Sequence, residues 1–244
     1  MGAQAFEVLH ERAVASVWLS RPNAGNRLLT EEIRELGQAL RNAGASPETK
    51  VVVLRARGEA FCLGRKPDSG ANAPTTAIDV RERVTQPILD LYADIRATPV
   101  PVLAAVQGEA KGFGCALIGQ CDLAIATESA RFSLPEMDGH LPPTLAISAV
   151  LGKVPPKRLL HMVYTREVIS AADALSMGLV GRVVDAHSLE PALFETVARL
   201  TDRNRASLCA IKEYMSAAPY VDPHSAARLA SNILSVVLSS PKDV

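Results

Sequence analysis

The sequence predicts an α/β protein built on a parallel sheet. Two short, continuously apolar runs, Val51-Val52-Val53-Leu54 and Val102-Leu103-Ala104-Ala105-Val106, have the pattern of strands buried on both faces. Segments with helical spacing lie before and between them, giving the strand–helix–strand alternation of a parallel sheet. The length of 244 residues suits one such domain, or a core with a short C-terminal helical extension.

Phe6 to Leu9 and Ala13 to Leu19 (AVASVWL) read as a β-hairpin. Arg21-Pro22-Asn23-Ala24-Gly25-Asn26 breaks the pattern as a turn. Thr30 is placed to cap a helix whose Ile33, Leu36 and Leu40 share one face. After Val51–Leu54 and a turn through Gly58 to Gly64, residues Arg65 to Thr76 have the composition of a mobile loop or lid. Val80 to Ile95 is an amphipathic helix interrupted at Pro87 and stopped at Thr98-Pro99. Gly108 to Ile118 reads as a loop into a helix, and Asp122 to Ala126 as a third parallel strand. From Leu189 to Leu238 the pattern is helical, with breaks near Arg203-Asn204 and at Pro219, so a core over 1–187 and a helical region over 188–244 are expected.

Lys+Arg and Asp+Glu each total 26, leaving no basic excess to attract nucleic acid or an acidic membrane. The start lacks the basic and apolar regions of a signal peptide, and Phe6 stands where a myristoylation motif prefers Ser or Thr. No apolar run approaches the roughly 18 residues of a membrane span. Cys62, Cys115, Cys121 and Cys209 are scattered among apolar neighbours, which suits reduced thiols in a cytoplasmic protein and gives no metal site.

The chemistry concentrates in Gln107-Gly108-Glu109-Ala110-Lys111-Gly112-Phe113-Gly114-Cys115, between a strand and a helix. Glycines let backbone amides approach a ligand, and a helix N-terminus adds partial positive charge. Phe61-Cys62-Leu63-Gly64-Arg65 also follows a buried strand. Two such turns at neighbouring strand ends could aim N–H groups at one oxygen, as an enolate or tetrahedral intermediate requires.

These segments resemble the enoyl-CoA hydratase/isomerase (crotonase) superfamily. So do Ser20-Arg21-Pro22, Pro101 to Gly108, Cys121 to Ala126, Ala130-Arg131-Phe132-Ser133-Leu134-Pro135-Glu136 and Ala171 to Val180, in the family's order. The resemblance implies a ClpP-like spiral of ββα units, with chains assembling as trimers or dimers of trimers. It implies an acyl-CoA substrate, coenzyme A being part of that substrate and no separate cofactor being needed. Backbone N–H groups of Arg65 and Phe113 would form the oxyanion hole, Gly64, Gly112 and Gly114 would line the substrate, and Lys212 would help hold the adenine end of CoA. A small residue is commoner at Arg65, whose side chain could meet CoA phosphates, and a glycine at Phe113, which narrows the room beside the acyl chain.

Family hydratases use two glutamates. One corresponds to Glu136, the other to Ala116. With one carboxylate left, a proton shuttle of the isomerase kind is the simpler expectation. Leu141-Pro142-Pro143-Thr144 replaces the family's glycine-rich stretch, and Asp138 and His140 stand beside the expected base. A C–C hydrolase or decarboxylase using His140 or Asp138, or a subunit that binds CoA esters without turnover, are the alternatives. The chain ends at Val244, before the terminal helix that many members possess.

Overall fold

The computed structural model describes residues 4–67 and 74–239. The chain's first three residues, half of the expected lid (68–73) and the last five residues lie outside them.

Strands β1 (Phe6–Glu11) and β2 (Val14–Leu19) form the antiparallel hairpin that opens the sheet. Helix α1 (Thr30–Ala45) follows, then β3 (Val51–Ala56), parallel to β2. Thr30 is already helical; the Glu32 carboxylate accepts the N–H of Leu29 at 2.7 Å, so the cap sits one residue earlier than the Thr30 expectation. Helix α2 (Ala77–Val80) passes through a π turn over Arg81–Thr85 into α3 (Gln86–Ala97). The irregularity thus precedes Pro87: the continuous helix widens into a π turn just before the residue that cannot donate to its ladder.

Strand β4 (Val102–Val106) lies beside β3. The expected loop then contains a short strand, β5 (Glu109–Lys111), before α4 (Phe113–Gln120). Next come β6 (Leu123–Thr127), β7 (Arg131–Ser133), α5 (Thr144–Val150), α6 (Pro156–Thr165), β8 (Ile169–Ser170), α7 (Ala171–Ser176) and β9 (Arg182–Val184). Three helices close the chain: α8 (Leu189–Thr201), α9 (Arg205–Ala217) and α10 (Pro223–Ser239). The main sheet runs β1-β2-β3-β4-β6-β9, parallel from β2 onward, and β5-β7-β8 form a second sheet.

The apolar runs are buried on both faces for a visible reason. Val52, Leu54, Val102, Ala104 and Val106 join the large core with α1, α3 and α4. The alternate residues Val51, Val53, Leu103, Ala105 and Ile125 face Leu189, Ala192 and Leu193 of α8. Side chains of successive strand residues point to opposite faces, so covering both sides demands continuous apolar sequence. Helix α8, grouped by sequence with the C-terminal region, therefore closes the second face of the sheet.

Candidate active site

The turns after β3 and β4 are bonded to one another. The N–H groups of Phe61 and Cys62 donate to Glu109 O at 3.0 and 3.2 Å, and Lys111 N–H donates to Cys62 O at 2.9 Å. From the end of β4, Gln107 Nε2 donates to the carbonyls of Ala56, Gly58 and Ala60 at 3.1, 2.9 and 3.2 Å. Both turns are thereby held at the carboxyl ends of neighbouring parallel strands, where open α/β sheets bind ligands.

Close backbone approach dictates the glycines here. A Cβ at Gly114 would stand 2.1 Å from Cys62 O, too close for any side chain. Gly112 has φ 51° and ψ −114°, a conformation that side chains avoid, and its N–H bonds Ser133 O at 2.8 Å. Phe113, the first residue of α4, has a buried ring. Its N–H belongs to the group with no acceptor inside the helix.

Glu136 stands on a 3-10 turn, Pro135–Gly139, directly after β7. A Cβ added to Gly112 would lie 2.6 Å from its Oε1, so the carboxylate rests against the turn that opens α4. Its Oε2 is shielded from solvent and has no hydrogen-bond partner among the described residues. Burial raises this carboxyl above the usual glutamate range, against the opposing pull of its own backbone N–H. Ser133 Oγ, three residues earlier, is a second buried polar atom without a partner. Such orphans are rare in folded proteins and point to a water, ion or ligand site.

Two further groups feel Glu136. Burial, then the nearby charges of Cys115 and Glu136, push the Tyr92 phenol up, and burial followed by Glu136 pushes the Cys115 thiol up to about 12. Both are neutral at physiological pH. Tyr92 is buried on α3 with Ile88, Leu91 and Ile95, and nothing in the sequence showed that it neighbours the carboxylate. Cys115 and Ser133 carried no signal beyond their place in the matching motifs.

The other predicted residues are distributed unevenly. Gly64, at φ 108°, faces the Lys111 carbonyl, and Arg65 pairs with Leu28 in an isolated β-bridge. The Arg65 guanidinium reaches back toward Thr30 Oγ1 at 3.5 Å. Asp138 is exposed and its carboxylate faces Arg166 at 3.4 Å. His140 is exposed, in the left-handed conformation that ends the 3-10 turn. Lys212 lies apart from these groups, on α9. Its ammonium is buried and bonds Ile95 O at 2.9 Å, Val100 O at 3.2 Å and Asp122 Oδ2 at 2.7 Å. With three protein acceptors it ties α9 to the body of the fold. Ala116 is fully buried on α4. Among the described residues no cluster could hold a metal, and no helix is long and apolar enough to cross a membrane.

The chain resembles known proteins in sequence and in fold. The sequence profile of the enoyl-CoA hydratase/isomerase family matches residues 10–238. The mouse mitochondrial enoyl-CoA hydratase domain-containing protein 3 is 30% identical over 192 residues, which are 79% of this chain and 63% of that protein. The chain thus spans less than two thirds of that relative. A crotonyl-CoA hydratase from Syntrophomonas wolfei is 29% identical over 199 residues, 80% of this chain and 75% of the relative. Among solved structures, an enoyl-CoA hydratase from Mycobacterium smegmatis superposes with a TM-score of 0.92 at 30% identity, covering 98% of this chain and 92% of that one. Human enoyl-CoA hydratase domain-containing protein 3 superposes with a TM-score of 0.90 at 26% identity, covering 97% and 93%.

Proposed function

Because the chain belongs to the enoyl-CoA hydratase/isomerase family, we propose that it shifts the double bond of an unsaturated acyl-CoA with Glu136 as its one acid/base. The Glu136 carboxylate takes a proton from the α-carbon, and the C–H electron pair moves into the thioester carbonyl. The N–H groups of Arg65 and Phe113 hold the oxygen that gains this charge, helped by the positive end of α4. Glu136 then returns the proton to the γ-carbon and the double bond moves one position. No atom is gained or lost.

The observation that carries this reading is the half-buried Glu136 carboxylate, with one oxygen unpartnered, set against the Gly112 turn. Its raised pKa suits a group that must both accept and release a proton. Hydration asks for a second carboxylate to orient water. The position where the family resemblance puts it is Ala116, enclosed by apolar core. A cleavage reaction using Asp138 or His140 draws less support, since Asp138 faces Arg166 and both side chains are exposed.

Turnover of a 3-enoyl-CoA by Glu136→Gln tests the reading. A fall of roughly 10²- to 10⁴-fold is expected from loss of the proton shuttle. Undiminished turnover removes Glu136 from the mechanism, and hydration of a 2-enoyl-CoA as fast as isomerisation removes the isomerase preference.

Assembly into trimers or dimers of trimers is part of the same proposal. Helix α10 buries none of its residues in the single chain and exposes Leu234, Val236 and Leu238. The free thiols Cys62, Cys115, Cys121 and Cys209 support a reducing compartment such as the cytoplasm.

A further inference from the structure

A cleft of about 560 Å³ opens at the other end of α4, away from Glu136. Gln120, Cys121 and Asp122 form one side, where α4 ends and β6 begins, and α9 supplies another through Ile211, Lys212 and Met215. Three cations line it: Arg96, Lys153 and Lys212. Among the described residues Lys212 alone of the three is neutralised, by Asp122. Arg96 donates to the amide oxygen of Gln120 at 2.8 Å, and Lys153 Nζ donates to Gly119 O. Both acceptors are uncharged, and neither cation makes an ion pair among the described residues.

Capping of α4 explains part of this. A cation near the last carbonyls of a helix is favourable, and Lys153 fills that role. It does not call for Arg96 as well, nor for the apolar surface alongside. Leu123, Ile211 and Met215 are 40%, 63% and 60% exposed and all line the same cleft. Burial lowers the Lys153 pKa; Cys121 and Asp122 oppose that, and Arg96 and Lys212 add to it by repulsion. Such a group gains from an anion. The volume lies within the range of small-molecule sites, and the lining joins extensive apolar surface to a few convergent polar groups.

We propose that this cleft binds a small amphipathic anion, a carboxylate on an alkyl chain, with its head at Arg96 and Lys153 and its tail along Leu123, Ile211 and Met215. Charge-assisted pairing with two cations supplies orientation, and the chain supplies burial. The site is separate from the proposed catalytic turn and does not depend on what that turn catalyses.

Isothermal titration with decanoate, and with decyltrimethylammonium as a probe of equal tail and opposite charge, tests the assignment. Decanoate should bind at least tenfold more tightly than the cation. Arg96→Gln combined with Lys153→Gln should lose at least tenfold. Met215→Trp, which fills the cleft without touching either charge, should lose a similar amount, so the test survives if the charge variant fails to fold. Binding to Glu136→Gln should equal binding to the wild type, and enoyl-CoA turnover by the cleft variants should be unchanged. Equal binding of the two probes, or undiminished binding by the variants, overturns the proposal. So does sedimentation showing that Met215→Trp dissociates a wild-type oligomer, because the occupant is then a second copy of this chain.

Discussion

An ionisable pair lies near one end of helix α4 and a half-buried carboxylate against the other, and the two ends are solved differently. At the C-terminal end Asp122 Oδ2 accepts from both Lys212 Nζ and Val102 N–H at 2.7 Å, and Lys212 finds two carbonyls besides. At the N-terminal end Glu136 meets a bare glycine turn, and its Oε2 has no partner among the described residues. A buried charge whose bonds are filled by the protein holds structure together. One whose bonds are left open holds room for something else.

That contrast can be broken in order of expected size. Lys212→Met should cost about 3 kcal/mol in urea unfolding, because it strands Asp122 and two carbonyls; a loss below about 1 kcal/mol would mean that the pair is not a structural tie. Gly114→Ala should cost about 2 kcal/mol or more by forcing a methyl into the Cys62 carbonyl, with turnover falling as the two turns separate. Little change in either quantity would show that the turns tolerate separation.

Glu136→Gln should have the opposite sign, stabilising the fold by about 1 kcal/mol at neutral pH, since an amide costs less to desolvate than an unpartnered carboxylate. The sign follows from burial, which raises the folded-state pKa above the unfolded value. The wild type is unpenalised below the unfolded glutamate pKa of about 4.3 and loses relative stability as pH rises through the higher folded value. The difference between variant and wild type should therefore vanish in acid and be complete near neutrality. A pH-independent difference would mean that the carboxylate is not desolvated as the structure has it.

The parallel sheet was legible because its strands are covered on both faces, which imposes unbroken apolar runs such as Val102–Val106. The glycine turns and Glu136 were legible because their spacing along the chain matches a family pattern. Strand β5 was not: three residues, Glu109 to Lys111, have too little pattern of their own and become a strand by pairing with β7 and with Cys62. The partners of Lys212 were hidden for a related reason. A lysine on a late helix looks alike in sequence whether its ammonium meets a ligand or Asp122.

Sequence alone determined the α/β class, the order of its first strands and helices and the presence of one carboxylate where two are usual, since these depend on local pattern and residue identity. The tertiary structure decided which charges are satisfied. It brought Tyr92, Cys115 and Gly112 around Glu136, and it enclosed Lys212 while leaving Arg96 and Lys153 facing an open cleft. Solvation and charge pairing depend on groups distant along the chain, and only packing fixes which of them meet.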